Sequence, residues 1–310
     1  MYHWFSSEVI IAFSTTFLAG LATLIGGAIV LFFKKPSFRL LSFGLAFSAG
    51  AMVYISLTEI LNKSIDSFTQ AYDAKLGFAL GTFAFLAGVI AILILDRVVP
   101  NPHELIERKT QKTLESQIEN NSESKNTTYT MHSHDHTTEQ YTTHVSESHI
   151  KQPLQFDYAQ LKRTAMLTML AITAHNLPEG LATFFSTLES PTLGAPLAIA
   201  IAIHNIPEGV AIAVPVYIAT QKKSWALMAS LISGLAEPFG AVLGYFALAP
   251  FLGPTVYGVI FGLIAGVMVY LALDELLPTA KRYSQGHETV YGLVSGMAVL
   301  AISLVLFKLL

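Results

Sequence analysis

The 310-residue sequence contains no cysteine and few charged residues. Without cysteine the chain forms no disulfide, and a metal site in it has to use nitrogen and oxygen ligands rather than thiolates. Asp, Glu, Lys and Arg together make up 13% of the chain, whereas soluble domains average roughly 25%. The net charge of −3 is spread over many loops and says little about partners, and we expect no nucleic-acid binding.

Hydrophobic residues make up 53% of the chain and collect in eight long apolar runs. About 20 helical residues cross the hydrocarbon core of a bilayer, so each run is long enough to span it. The runs predict an all-α, polytopic membrane protein with eight transmembrane helices. Their approximate extents are 9–33, 39–61, 76–96, 163–187, 193–219, 224–249, 255–279 and 288–309.

Basic residues lie mainly on one side of this predicted bundle. Fifteen of the 18 Lys and Arg residues fall in the segments that follow helices 1, 3, 5 and 7. Cytoplasmic loops of membrane proteins carry the excess of positive charge, so we expect these segments in the cytoplasm. The prediction is an integral membrane protein with both termini extracellular or periplasmic and the loop after helix 3 cytoplasmic.

A polar signature occurs twice within the apolar runs, as His-Asn-Leu-Pro-Glu-Gly at 175–180 and as His-Asn-Ile-Pro-Glu-Gly at 204–209. In each copy His and Glu are four positions apart and share one face of a helix. The proline between them removes a backbone hydrogen bond and bends the helix. Because imidazole, amide and carboxylate groups are costly in hydrocarbon, the two copies predict a functional site inside the membrane.

The candidate ligands of this site come from helices 4, 5 and 6 at about the same depth. Neutral imidazole and carboxylate oxygens bind zinc and its first-row neighbours, and the set is large enough for two neighbouring ions. The alternative is a structural hydrogen-bond network between the helices. The seven predicted metal ligands are His175, Asn176, Glu179, His204, Asn205, Glu208 and Glu237.

Two pairs of helices share patterns that indicate an internal repeat. Residues 50–59 of helix 2 match residues 266–275 of helix 7 at an offset of 216, with Met-Val-Tyr and a final Glu in common. A weaker match, at an offset of 214, relates the segments that begin at Gly20 and Gly234. Matched helices are five apart and therefore cross in opposite directions. The pattern predicts inverted-repeat pseudosymmetry, in which helices 1–3 match helices 6–8 around helices 4 and 5.

Together these features resemble the ZIP (Zrt/Irt-like) family of metal-ion transporters, most closely its bacterial ZupT-type branch. The most specific shared segments are the two signatures, the Ala-Glu-Pro step at 236–238 and Asp-Glu-Leu-Leu-Pro at 274–278. The resemblance covers all eight helices. It implies a divalent-metal importer of a bacterial inner membrane, with a binuclear site and no enzymatic activity.

Residue roles also follow from this resemblance. One ion would be bound by His175, Glu179 and Glu208, with His204 nearby. Glu208 would bridge to the second ion. Some family members carry Gln-Asp where this chain has His-Asn at 204–205, so the second position differs here in its ligands. The residues around that second ion would be Asn176, Asn205, Glu208 and Glu237.

Acidic residues near helix ends predict where ions enter and leave. Glu59, near the outer end of helix 2, matches Glu275 near the inner end of helix 7. Asp96 and Asp274 lie at a level similar to that of Glu275. Acidic groups at a mouth concentrate cations, although such residues are often simply solvated. The resemblance places Asp96 and Glu275 in a cytoplasmic exit site.

A polar loop at about 104–156 interrupts the single transmembrane domain expected over 1–310. The loop lacks apolar periodicity, so we expect it to be disordered. Short His-rich tracts can bind metal while remaining flexible, which suggests buffering or feedback, with a plain linker as the alternative. The five loop histidines are His132, His134, His136, His144 and His149.

We expect the chain to import zinc by alternating access, in a lipid bilayer and without a catalytic cofactor. Helices 1, 4, 5 and 6 would move against helices 2, 3, 7 and 8, a division the resemblance also suggests. Gly26, Gly240 and Gly244 would let the two blocks slide. Fe²⁺, Mn²⁺, Co²⁺ and Cd²⁺ are alternative substrates, and the question of a homodimer stays open.

Three other functions are alternatives to transport by alternating access. A metal-selective channel would use the same ligands. An intramembrane metalloprotease is a distant alternative, because its His-Glu-x-x-His sequence does not occur here. A receptor or scaffold would use the polar residues only for structure.

Deleting residues 126–150 should leave the initial rate of zinc uptake close to that of the wild type, because a loop on the exit side does not form the midplane site. A difference should appear at high internal zinc and fade below about pH 6.5, where imidazole becomes protonated. Reconstituted vesicles with low or high internal zinc provide the measurement. Loss of initial uptake in a correctly inserted deletion variant would show that the loop belongs to the pathway.

Overall fold

The computed structural model describes residues 6–32, 38–98 and 158–309, and these ranges form eight helices and no strand. Short 3₁₀ turns end the first and sixth helices, and one π-helical turn interrupts each of the second and seventh. The predicted all-α architecture is confirmed. The helices are α1 (Ser7–Ile29), α2 (Phe38–Ala71), α3 (Ala74–Val98), α4 (Tyr158–Glu189), α5 (Pro191–Thr220), α6 (Lys223–Leu248), α7 (Pro254–Tyr283) and α8 (Glu288–Leu309).

Seven of the eight helices in the described ranges are long and apolar enough to cross a membrane, by length and composition. The exception is α4, which has 32 residues but carries His175, Asn176 and Glu179 near its centre. These polar groups lower its hydropathy without shortening it. All three side chains are buried, so protein rather than lipid surrounds them.

Helix starts and links follow local sequence rules. The Ser6 hydroxyl caps α1 by accepting a hydrogen bond from the backbone N–H of Val9 at 3.4 Å. Pro191 and Pro254 occupy the starts of α5 and α7, where the missing N–H has no intrahelical partner to lose. Gln221, with φ of 55°, turns the chain between α5 and α6. Such short links keep consecutive helices antiparallel.

The eight helices form two tightly packed groups. In the first group α1, α4, α5 and α6 all contact one another, and in the second α3, α7 and α8 pack around α2. A Cβ on Gly20 would overlap the backbone of Gly234, which joins α1 to α6. In the second group, a Cβ on Gly50 would overlap the backbone of Leu293. Glycine lets the helix backbones touch at these points, so each group packs as a rigid unit.

The glycines expected between two sliding blocks lie within the first group instead. Gly26 packs against the backbone of α5, and Gly240 and Gly244 pack against α4. That expectation was wrong, because a small residue in an apolar helix shows a close contact without showing which helix makes it. Their packing makes the first group rigid.

The two groups meet mainly along two helix pairs, α2 with α5 and α4 with α7. A Cβ on Gly44 of α2 would lie 3.5 Å from Cβ of Pro207, an ordinary van der Waals separation. The Ser48 hydroxyl of α2 also crosses the boundary and donates to the His204 carbonyl at 2.9 Å. A looser boundary between two rigid groups is what relative motion requires.

Matched distortions add support for the inverted repeat. The π-helical turn of α2 covers Ser56–Ile60 and that of α7 covers Ala272–Leu276, which are again 216 residues apart. Such turns are rare and often occur at functional sites. Each contains one of the matched acids, Glu59 or Glu275. The two halves therefore share an irregular backbone as well as a sequence pattern.

Replacing Gly26 with alanine should lower the midpoint of thermal unfolding in detergent, because its Cβ would overlap the Ile206 carbonyl. Overpacking of this kind costs roughly 1–3 kcal/mol. Gly44→Ala is the matched control, since its Cβ would have room and alanine favours a helix. Equal midpoints for the two variants would contradict the difference between packing within and between groups.

Candidate metal centre

The two signatures lie within α4 and α5, which are neighbours in the first group. Pro178 and Pro207 are inside these helices, and each leaves the carbonyl four residues earlier without its usual donor. Helix α6 contributes Glu237, which is followed directly by Pro238. All seven predicted ligands are at most 1% exposed: His175, Asn176, Glu179, His204, Asn205, Glu208 and Glu237.

Three of these side chains form a compact group. One ligand atom from each of Glu179, His204 and Glu208 lies within 4.8 Å of the other two. His204 Nε2 and Glu179 Oε1 are 3.2 Å apart. Zinc bonds to nitrogen and oxygen are about 2 Å long, so small side-chain adjustments would place all three atoms around one ion.

Hydrogen bonding assigns the protonated nitrogen of the His204 ring. Nδ1 lies 3.1 Å from the carbonyl oxygen of Ala200, and a carbonyl only accepts, so Nδ1 carries the proton. In the neutral ring Nε2 then directs a lone pair toward the Glu179 oxygen. Two lone pairs that face each other require a shared cation, either a proton or a metal ion.

The two asparagine side chains are fixed through their NH₂ groups. Asn176 donates to the Ser233 carbonyl at 3.0 Å. Asn205 donates to the Ala19 carbonyl at 3.0 Å and to Glu237 Oε1 at 2.5 Å. Both amide oxygens are buried and accept no hydrogen bond from the described residues. Each asparagine therefore has an oxygen available as a metal ligand.

Three carboxylates share this buried region. Glu208 interacts electrostatically with both Glu179 and Glu237. Within the described ranges no group donates to either oxygen of Glu208, or to Oε2 of the other two acids. Buried acceptors without donors and buried like charges are both costly. The set is therefore suited to holding positive charge.

Other predicted residues lie apart from this compact group. His175 is buried on α4 but is not one of the three closely spaced residues. Glu59 is partly buried in the π-helical turn of α2, and in that of α7 Asp274 is exposed and Glu275 partly buried. The Asp96 side chain and the five loop histidines lie outside the described residues.

Two serines that the sequence did not single out support the centre. Ser233 anchors the amide of Asn176 through its backbone carbonyl, and Ser48 donates to the carbonyl of His204. Both serines are fully buried. In the sequence, each of these residues is marked only as a small polar residue in an apolar helix. Because serine hydroxyls often bond within their own helix, this feature does not distinguish the two supporting serines from the others.

Comparison with known proteins gives the family. The family described as ZIP Zinc transporter matches residues 6–304. The protein named "Zinc transporter ZupT" of Stenotrophomonas maltophilia (strain K279a) is 56% identical over 301 residues, 97% of both chains. The protein of that name from Neisseria meningitidis serogroup B (strain ATCC BAA-335 / MC58) is 54% identical over 301 residues, 97% of both chains.

A more distant relative extends the same match. The protein named "Zinc transporter ZupT" of Chlorobium chlorochromatii (strain CaD3) is 39% identical over 306 residues, 97% of this chain and 99% of that protein. The chain belongs to the ZIP family of zinc transporters. The family predicted from the two signatures, the Ala-Glu-Pro step and the Asp-Glu-Leu-Leu-Pro segment is confirmed.

Replacing Glu208 with glutamine should raise the midpoint of thermal unfolding in metal-free detergent, because a neutral amide of nearly the same shape is less costly to bury beside two other acids than a carboxylate without donors. Added zinc should stabilise the wild type by mass action and this variant much less. Glu8→Gln, in the exposed first turn of α1, is the control. A Glu208→Gln protein that zinc stabilises to the wild-type extent would exclude Glu208 as a ligand.

Proposed function

We propose that the chain imports divalent metal ions, zinc foremost, into the bacterial cytoplasm. One observation carries the proposal: a fully buried set of carboxylate, imidazole and amide groups lies within a bundle of membrane-length helices. Several of its oxygens have no donor in the described ranges, and ionisable groups at membrane depth usually mark ion pathways. Membership of the ZIP family and the names of the relatives support zinc as the ion.

The first ion binds between Glu179, His204 and Glu208, whose ligand atoms already lie close together. His175, one turn before Glu179 on α4, completes this shell. Nitrogen and oxygen ligands without thiolate bind zinc firmly enough to select it and weakly enough to release it. The second position is formed by Asn176, Asn205, Glu237 and the bridging Glu208.

Transport by this site follows from the helices that carry it. Every proposed ligand of the centre lies on α4, α5 or α6, all in the first group. From the second group, the Ser48 hydroxyl donates to a backbone carbonyl of the site rather than to one of the proposed ligand atoms. Movement of the first group against the second would therefore carry the bound ions as a unit from one face of the membrane to the other.

Acidic residues guide ions at the two mouths of this pathway. Glu59 acts on the entry side, and Asp96, Asp274 and Glu275 act on the exit side. The matched π-helical turns support paired roles for Glu59 and Glu275. The loop histidines receive released ions, since the positive-inside rule favours a cytoplasmic loop with both termini outside.

The burial of the ligands favours a transporter over a channel. A channel needs a continuous wet path, whereas the candidate ligands are at most 1% exposed. Iron, manganese, cobalt and cadmium ions accept the same ligand types and stay alternative substrates. The relatives named as zinc transporters argue against the protease alternative.

Uptake by reconstituted vesicles tests the proposed function. The wild type should accumulate zinc with saturation, and Glu208→Ala should abolish saturable uptake because it removes the bridging ligand. Asn176→Ala should shift metal preference or affinity more than maximal rate, since a neutral amide is a weaker ligand than carboxylate. Both variants should insert into the membrane like the wild type.

A panel of Zn²⁺, Fe²⁺, Mn²⁺, Co²⁺ and Cd²⁺ at two proton gradients ranks the substrates and tests proton coupling.

Normal zinc uptake by Glu208→Ala would refute the assignment of Glu208 as the bridging ligand. An Asn176→Ala variant as inactive as His175→Ala would refute the hierarchy of ligands. A wild type that inserts correctly but transports none of these ions would refute the function itself.

A further inference from the structure

A buried lysine lies at the end of the bundle where α2 is linked to α3 and α4 to α5. Lys63 of α2 is 7% exposed, and lysine is rarely so buried unless it is paired. Its ammonium nitrogen lies 6.0 Å from the centre of the Phe261 ring of α7, within reach of a cation–π interaction. Its burial and the Phe261 ring therefore place this charge against the second helix group.

The opposite charge comes from the first helix group. Glu189, the last residue of α4, follows Phe185 by one helical turn and lies within electrostatic reach of Lys63. Glu189 is partly buried, whereas the neighbouring Asp66 is exposed. The attraction between Lys63 and Glu189 thus crosses the boundary between the two groups. Neither residue belongs to the metal centre.

Aromatic rings cross the same boundary beside this pair. Phe185 of α4 meets Tyr257 of α7 edge to face, with ring centres 6.2 Å apart and planes at 77°. Tyr257 stacks on Phe261, the ring next to Lys63, at 6.0 Å. Phe185 and Phe261 are fully buried. The rings exclude water from this seam, and a less polar environment strengthens the attraction between the charges.

We propose that Lys63 and Glu189 form a latch that closes this end of the bundle, which is the extracellular end in the orientation proposed above. The two charges are on different helix groups, so opening the centre to the outside separates them. The strength of the latch therefore sets the fraction of time for which the centre faces outward. This inference rests on the proposed alternating access and assigns its outer gate to a specific pair.

The lack of native cysteine allows a direct test of the latch. Ser186 of α4 lies between Glu179 and Glu189 in sequence and is fully buried. In vesicles of known orientation, Ser186→Cys should react with an external, membrane-impermeant thiol reagent only when this end opens. Lys63→Met and Glu189→Gln should each raise the labelling rate about fivefold or more, the lower range of typical conformational couplings.

Charge reversal distinguishes attraction between Lys63 and Glu189 from a purely structural role of the two side chains, because only attraction is restored when the charges are exchanged. All these variants are made in the Ser186→Cys protein, which is the parent for comparison. The double variant Lys63→Glu with Glu189→Lys should return the labelling rate toward that of this parent, because it restores the attraction between the two side chains. Lys75→Met is the matched control, since Lys75 is exposed at the start of α3 near the same end. Its labelling rate should equal that of the parent.

The outcomes separate the latch from the transport function. Labelling that stays at the parent rate in Lys63→Met and in Glu189→Gln would overturn the latch, as would a charge-reversed variant that labels as fast as the single variants. If one single variant fails to insert, the other carries the same expectation. Zinc uptake is measured on the same samples. The proposed function fails if the wild type transports no zinc, whereas the latch fails if labelling does not respond in a Ser186→Cys protein that does transport it.

Discussion

The placement of three carboxylates in one buried region is the constraint on which the rest of the structure depends. Glu179, Glu208 and Glu237 are fully buried close together, and several of their oxygens have no donor in the described ranges. Such a group is costly without a cation and favourable with one. The asparagine NH₂ groups are tied to backbone carbonyls, so the asparagine oxygens stay available to the cation. Ion binding can therefore shift the equilibrium between conformations.

Close backbone packing turns this local centre into a unit that can move as a whole. Glycines join α1, α4, α5 and α6 without side chains between their backbones, and other glycines do the same around α2. The boundary between the groups includes ordinary side-chain contacts, the Ser48 hydroxyl and the aromatic seam beside Lys63. Rigid groups with a looser boundary favour a two-state movement over continuous deformation.

Much of this architecture could be predicted from the sequence because its main patterns, the apolar runs and the His-to-Glu spacing, each occur more than once. Apolar runs gave the eight helices, and the spacing of His and Glu placed both signatures on inward-facing helix surfaces. Which histidine joins the compact group could not be predicted. His175 and His204 occupy equivalent places in the two signatures, and only the packing of α4 against α5 brings the second beside Glu179.

Contacts between helices account for the remaining differences. Gly26, Gly240 and Gly244 pack within the first group and not between the groups, because helical periodicity defines a face of a helix but not the helix that packs against it. The π-helical turns at 56–60 and 272–276 depend on how α2 and α7 pack, and no local residue pattern predicts them. The Lys63–Glu189 pair joins residues more than 100 positions apart, which a single sequence does not relate.

Zinc-edge anomalous diffraction from crystals grown with zinc tests the central claim most directly, because it locates the ion without mutation. We expect a strong peak about 2 Å from His204 Nε2 and from carboxylate oxygens of Glu179 and Glu208. A second peak should lie beside Glu237. Anomalous peaks confined to exposed acids such as Asp274, with none between α4 and α5, would contradict the account.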